Sequence, residues 1–498
     1  MRTGLILTAS MVGVALTASP SLAATYLVAP GGSDQGGDGS AQKPWQTLQY
    51  AADHVAAGDH VDVAAGNYKG FDLRISGMPG KPITFAAAPG VVINRDNATT
   101  TDGINVEGVS YVVIDGFKVT GVSRNGIRGA VCNHVTFRNN VTDANGVRGI
   151  FTGFCDDLLI ENNSCSRSGK EHGIYVSNSP KRPVIRHNIS FGNAGAGIHM
   201  NGDISQGGDG IISDALVEDN VIYDNGRLGG SGINCDGIQD SVIRNNLIYG
   251  NHASGISLYQ GDAGAPSTNN VVVNNTIVMA SDGRWCLNIQ NGATGNSAWN
   301  NILYDLHSFH GSVSISPDSL VGFKSDYNAV MDRYTTDDAN TILKLADWQK
   351  RTGWDAHSFV TTPALLFVDF AANDYHLSAA SPAIDKGTSD HAPGIDLDGH
   401  SRPLGAGFDI GAYEFCPGGA CLYADAGVPA DLASPPGDAD LPHDQQIHFA
   451  DELGVAIPSS PAGCGCRLGE RGSSKRWWLI LPLAGLLAQR RFRRSRKC

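Results

Sequence analysis

Residues 173–201 read GIYVSNSPKRPVIRHNISFGNAGAGIHMN, and the last five letters begin the same pattern again. A Gly-Ile pair opens each copy, at Gly103, Gly126, Gly149, Gly173, Gly197, Gly232 and Gly255, in steps of 23, 23, 24, 24, 35 and 23 residues. A degenerate copy, CLNI, starts at Cys286 after a step of 31. Two long steps hold insertions, GDISQGGDGIISD after Asn201 and QGDAGAPST after Tyr259. A second landmark keeps time with the first. VVIDG, VTFRNN, LLIENN, VIRHN, LVEDN, VIRNN, VVVNN and AWNN end at Gly116, Asn140, Asn163, Asn188, Asn220, Asn246, Asn275 and Asn301. Each repeat thus holds two short alternating strands and turns rich in Asn and Gly.

No single repeat can bury its apolar face, but stacked repeats bury one continuous column. The pairs Ile104/Val106, Ile174/Val176, Ile198/Met200 and Ile256/Leu258 point inward. Stacked Asn amides can bond from rung to rung and satisfy turn backbone. A helical solenoid is excluded, because these repeats carry no 3.6-residue apolar period. The fold expected is an all-β parallel β-helix of about nine or ten rungs. Residues around 348–357, ADWQKRTGWD with its flanks, read as a short helical excursion.

The ends carry addresses. Arg2, an apolar run from Leu5 to Leu16 and Ser21-Leu22-Ala23 read as a secretory signal over 1–23, cleaved after Ala23 or, next best, Ala24. The run is shorter than the roughly 20 apolar residues a span needs. The β-helix domain then occupies 24–415. Over 416–462, a loop between Cys416 and Cys421, expected to close as a disulfide in an exported chain, leads into a Pro-, Ala- and Asp-rich spacer. Residues 463–498 hold Cys464 and Cys466, the apolar run Trp477 to Ala488 and a basic end. With the first 23 residues and those after Cys466 set aside, 25 basic face 48 acidic side chains. Such a body is not a general nucleic-acid binder.

The start, YLVAPGGSDQGGDGS with PWQTLQYAADHV and GDHVDVAAGNY, resembles that of the pectate-lyase superfamily of right-handed β-helices, over about Thr25 to Phe415. The resemblance implies a right-handed helix with a short N-terminal capping helix. The stretch SPAIDKGTS…DLDGHSRPLGAGFDIGAYEF resembles the tail after β-helices in many bacterial surface proteins. The C-terminal cysteines, hydrophobic run and basic end resemble the myxobacterial C-terminal sorting tag. That resemblance implies processing at Cys464 or Cys466 by envelope sorting machinery, and retention at the cell surface. A plain membrane anchor is the other reading of the same run.

Outward side chains of successive rungs form columns roughly 4.8 Å apart. Two residues past each glycine, one reads Asn105, Arg128, Phe151, Tyr175, His199, Asn234, Ser257 and Asn288. Four past, the next reads Glu107, Ala130, Gly153, Ser177, Asn201, Asp236, Tyr259 and Gln290. From the fourth rung to the eighth these columns fill with His, Tyr, Asn and Asp. Lys170, Glu171 and His172 stand at one edge, Arg284 and Trp285 at the other, and both insertions flank the strip. Rings suit sugar faces, and amides and carboxylates suit hydroxyls. The expectation is a groove for a polysaccharide in a monomeric protein. Tyr175, Asn201, Asn234, Tyr259, Gln260, Arg284, Trp285, Asn288 and Gln290 would bind substrate.

Proton abstraction at C5 of a uronate needs a base and a neutralised carboxylate. His199, His172 and Lys170 are candidate bases. Asp203, Asp209 and Asp236 are candidate ligands for calcium, a hard cation. Asp203 with Asp236 is also a candidate acid/base pair, as a glycoside hydrolase would need. A non-catalytic glycan-binding or adhesin-like surface protein is the alternative of another class. The paired-Asp, Asp-rich calcium and Asp-Pro-His-Asp patterns of the superfamily's enzymes are absent. Finally, Cys132 and Cys155 lie six residues past Gly126 and Gly149. Stacking one rung apart puts them within disulfide reach, while parallel side chains weigh toward two free thiols.

Overall fold

The computed structural model describes residues 23–417. The signal run, Cys421, the spacer, Cys464, Cys466 and the run Trp477 to Ala488 lie outside the described residues. Among the described residues no helix is long and apolar enough to cross a membrane.

Each turn of the chain lays down three short strands, and every neighbour one turn away pairs in parallel. The first face carries the Gly-Ile strands, such as Ile174–Ser177, Ile198–Asn201, Ile233–Asp236 and Ile256–Tyr259. A second face carries Val184–Arg186, Leu216–Glu218 and Val242–Arg244. A third carries Ile189–Phe191, Val221–Tyr223 and Leu247–Tyr249. The first two faces merge into one 22-stranded sheet, because strand Asn125–Arg138 runs unbroken round the corner between them. The third is a 12-stranded sheet, one strand per turn. The helix thus has about twelve turns, more than the nine or ten expected from the landmarks. Strands Gly66–Tyr68, Val91–Ile93 and Phe359–Val360 belong to turns that carry no Gly-Ile pair.

The expected inward pairs are fully buried, from Ile104 and Val106 to Ile256 and Leu258. The corner between the second and third faces holds the longer Asn ladder, and a shorter one, Asn193 to Asn225 to Asn251, runs along the corner between the third and first. The Asn163 amide donates to Asn188, Asn188 to Asn220, Asn220 to Asn246 and Asn246 to Asn275, at 2.9–3.0 Å. The same Oδ1 atoms take the backbone N–H of the rung below, as Asn246 does from Asn220 at 3.1 Å. Each ladder Asn follows a residue with left-handed backbone, among them Asn162, Asn245, Asn274 and Asn300. The Asn-Asn doublets thus divide their work: the first turns the chain and points out, the second points in and joins the ladder.

Helix Leu48–His54 packs Leu48, Ala51 and Ala52 against the N-terminal end of the core. The helical excursion is Leu345–Thr352, and its buried Trp348 stacks on Tyr334 at the far end, ring centroids 4.7 Å apart. Residues 361–415 then fold back over the outside of the third face, and Tyr249, Val278 and Ile302 pack with Tyr375, Ile410 and Tyr413. The outward doublet residues hold this closing segment: Asn245 donates to Ile395 O, Asn274 to Asp409 O and Asn300 to Thr388 O. Arg402 and Glu414, both side chains fully buried, pair at 2.8 Å within it. Cys132 and Cys155 face one another in register and are disulfide-bonded, Cα atoms 4.4 Å apart. Cys416 is also disulfide-bonded.

Candidate functional site

The register of the first face sets Phe151 against Tyr175, Tyr175 against His199, His199 against Asn234 and Asn234 against Ser257. Ser177, Asn201, Asp236 and Tyr259 follow in the neighbouring column. Period-2 alternation sends Ile174, Ile198, Ile233 and Ile256 into the core, which leaves these columns facing outward.

Six of the expected residues form one connected centre. The ring of His172 lies 4.4 Å from that of His199 and 5.1 Å from that of Tyr175, and Tyr175 meets His199 edge-on at 4.8 Å. Asn201 donates its amide to the Tyr175 hydroxyl at 3.1 Å, and Asn234 donates to the Tyr259 hydroxyl at 2.8 Å. The Asn234 amide also lies 3.2 Å from His199 Nδ1, while His199 Nε2 is buried without a partner. His172 Nδ1 accepts the Ala196 N–H at 2.9 Å. Burial, with help from the Arg148 charge, lowers the His199 imidazolium to about 3. Burial, the neighbouring His199 and Arg148 hold His172 well below its ordinary value. Both rings are therefore neutral at pH 7. Burial raises the Tyr175 and Tyr259 phenols, which stay protonated.

Three residues outside the expected set complete this centre. Arg148 lies with its guanidinium carbon 5.0 Å from the ring centroids of both Phe151 and Tyr175. Its Nη2 meets Glu171 Oε2 at 2.5 Å, and its Nε is buried without a partner. A signal was there to read: Arg148 precedes Gly149 as His172 precedes Gly173, so the two share an edge column.

The other expected residues stand apart. Lys170 is exposed and makes no ion pair among the described residues. Asp236 is buried, and its carboxylate accepts the backbone N–H of Gly261, Asp262 and Ala263 at 2.7, 2.6 and 3.4 Å. It clasps the second insertion to the rung. Asp203 caps the turn Ile204–Gln206 through Ser205 N, 3.0 Å away. Asp209 pairs with Lys181 Nζ at 2.8 Å. These three carboxylates do not converge as a calcium cage. Among the described residues the one group of three ligand atoms within 4.8 Å of one another is Asp396, Asp398 and His400, in the closing segment. The insertions do wall the strip on one side, joined by Ile204 N to Asp262 O at 3.0 Å and Gly264 N to Gly210 O at 2.9 Å. Gln260 bonds Ala263 O within that wall. Asn288, Gln290 and Ser314 form a separate chain two rungs on from Asn234. Trp285 is buried against His310, ring centroids 5.6 Å apart, and Arg284 is exposed. A cavity of about 440 Å³ lies at the N-terminal end, among Gln49, Asn67, Lys69 and Arg95, and no expected site residue lines it.

Comparison with known proteins bears on the fold. Residues 26–169 match the family model of the Pel9A-like right-handed β-helix region. A solved structure of pectate lyase Pel9A is similar at 18% identity, with a TM-score of 0.54, over 79% of this chain and 97% of that one. An alginate lyase from Paenibacillus sp. str. FPU-7 is similar at 23% identity, with a TM-score of 0.43, over 53% of this chain and 93% of that one. An uncharacterised protein of Bacillus subtilis (strain 168), YwoF, is 46% identical over 59 residues, 12% of each chain. The match thus spans about an eighth of that relative's length. Strand order, turn count and the Pel9A likeness agree on the fold: the chain is a right-handed parallel β-helix, similar to that of pectate lyase Pel9A.

Proposed function

We propose that the first-face groove acts on an acidic polysaccharide by removing the C5 proton of a uronate, in a protein exported and held at the cell surface. The observation that carries this is His199: a neutral imidazole at the centre of the aromatic strip, with Nε2 unpartnered. When Asn234 turns its side-chain oxygen toward Nδ1–H and the rings packed around His199 part to admit the sugar, the buried Nε2 holds the lone pair that takes the proton. An anionic sugar bound alongside raises the imidazole toward the range in which a base is effective. In an elimination, the C5–H electrons form the C4–C5 double bond and the 4-oxygen leaves. Tyr175, whose hydroxyl accepts from Asn201 and keeps its own proton free, can supply the proton to that oxygen. In an epimerisation, His199 keeps the proton it took, and a different proton is delivered to C5 from the opposite face by water or by the Tyr175 hydroxyl, which recovers its own from solvent. The likeness to pectate lyase Pel9A agrees in kind with this reading. Export and attachment rest on the signal run and the C-terminal tag.

Asp203, Asp209 and Asp236 are already engaged, with Ser205 N, Lys181 Nζ and the backbone of 261–263, which favours a second reading, a glycan-binding protein without turnover. The same engagement leaves no step here that passes through calcium or through an Asp203–Asp236 pair.

The chain would be incubated with pectins, alginates and neutral glycans, with and without calcium. Rising ultraviolet absorbance of unsaturated products identifies a lyase, and NMR of the recovered polymer identifies an epimerase. His199→Ala is expected to abolish turnover while the melting temperature shifts little. Full activity in that variant removes His199 from the reaction, and binding without any turnover establishes the second reading.

A further inference from the structure

The arginines of this helix have a habit. Arg124, Arg167, Arg182, Arg186 and Arg244 each turn both Nε and Nη2 onto a carboxylate one rung away. That edge of the guanidinium is a two-pronged fork matched to a carboxylate. Arg148 breaks the habit inside the groove. Its Nη2 holds Glu171, its Nε is buried with no acceptor, and Phe151 and Tyr175 fix the plane of the group. Leaving a buried charged donor unmet costs stability. Glu171 fills the place incompletely: its side chain is 38% exposed, and Oε2 also lies 3.8 Å from His172 Nε2. A protein carboxylate oxygen therefore already sits where Arg148 and His172 converge.

We propose that Arg148 is the receptor for the carboxylate of the bound sugar, and that Glu171 is a tethered stand-in which the sugar displaces. This rests on the groove being the glycan site. The incoming carboxylate fills the empty Nε prong together with Nη2, and Glu171 swings into solvent. Arg148 then neutralises the charge that builds on the carboxylate when the neighbouring proton leaves, so recognition requires no divalent ion. The stand-in also sets a threshold: neutral sugars cannot dislodge Glu171, and acidic ones can.

The test uses the full chain, with tetragalacturonate, a mannuronate tetramer and the methyl ester of tetragalacturonate as probes, by calorimetry with and without EDTA. At least one acidic tetramer is expected to bind about tenfold more tightly than the uncharged ester, the size of one charge-assisted hydrogen bond, and EDTA leaves that preference unchanged. Arg148→Gln removes the preference. Glu171→Gln strengthens acidic binding several-fold and leaves the ester where it was. Circular dichroism and melting verify that both variants are folded. Weaker acidic binding in Glu171→Gln overturns the stand-in, and loss of the preference in EDTA overturns the metal-free receptor. Equal binding of acid and ester overturns the whole inference while leaving the groove as a glycan site. No binding of any glycan, these probes and the wider panel included, instead overturns the reading on which the inference rests.

Discussion

At the residue scale, the chemistry turns on groups whose surroundings oppose their charge. His199 is lowered to about 3 in the folded chain, against an ordinary value of 6.5. Between those two values the unfolded chain carries a proton that the folded one refuses. Stability is therefore complete above about pH 6.5 and falls as the pH drops toward 3. His172 adds to the slope in the same direction. Urea unfolding from pH 7 down to pH 4 is expected to show this loss, and His199→Gln is expected to flatten it. An unchanged slope in that variant would mean that other groups control acid sensitivity. The sequence showed the columns, and with them Tyr175, His199 and Asn234, because register follows from the glycine landmarks alone. It did not show Asp236 as a loop clasp. An acidic residue reads the same whether it faces substrate or takes three backbone N–H groups from an insertion that returns to the rung.

The Asn ladder is the element that fixes the corner between the second and third faces. Asn220 is fully buried, accepts from Asn188 N and Nδ2, and donates to Ile185 O, Glu218 O and Asn246 Oδ1. Asn220→Ala leaves several of these groups unmet and is expected to cost on the order of 3 kcal/mol, read as a lower urea midpoint at unchanged slope. A loss below about 0.5 kcal/mol would show that water replaces the amide there. The closing segment behaves differently. Arg402→Met strands the buried Glu414 carboxylate. Breaking a buried pair this way costs about 3–5 kcal/mol. Hydrogen exchange is expected to speed up over 383–415 and stay slow in the rungs around Ile198 and Ile256. Uniform deprotection would show that the segment opens only with the whole helix. The ladder was legible in the sequence because it repeats. The docking of this segment was not, because Asn245 and Ile395 are 150 residues apart and no period links them.

For the whole molecule, each turn leans mainly on its neighbours, so a local bond has a local effect. The Cys132–Cys155 disulfide closes 23 residues within two adjacent turns. Its reduction is expected to lower stability by about 3 kcal/mol, following the loop-closure relation. Limited proteolysis should then cut first near residues 103–160, and first cuts elsewhere would contradict neighbour-limited stability. The turn count was under-read because the outermost turns lack the Gly-Ile pair. There the capping helix and the helix bearing Trp348 shape the chain instead. The three corners also differ in their tolerance of change. Both groove insertions leave from the corner between the first and second faces, and 226–231 widens the corner between the third and first. From Asn140 to Asn301 the ladder corner keeps one outward residue and one inward Asn at each turn. New loops grafted at the two permissive corners would thus leave that ladder intact, and those at the third-to-first corner would start after Asn193, Asn225 or Asn251, which form a shorter ladder of their own. A library of such grafts could reshape the groove rim in length and charge while each turn keeps its place in the stack.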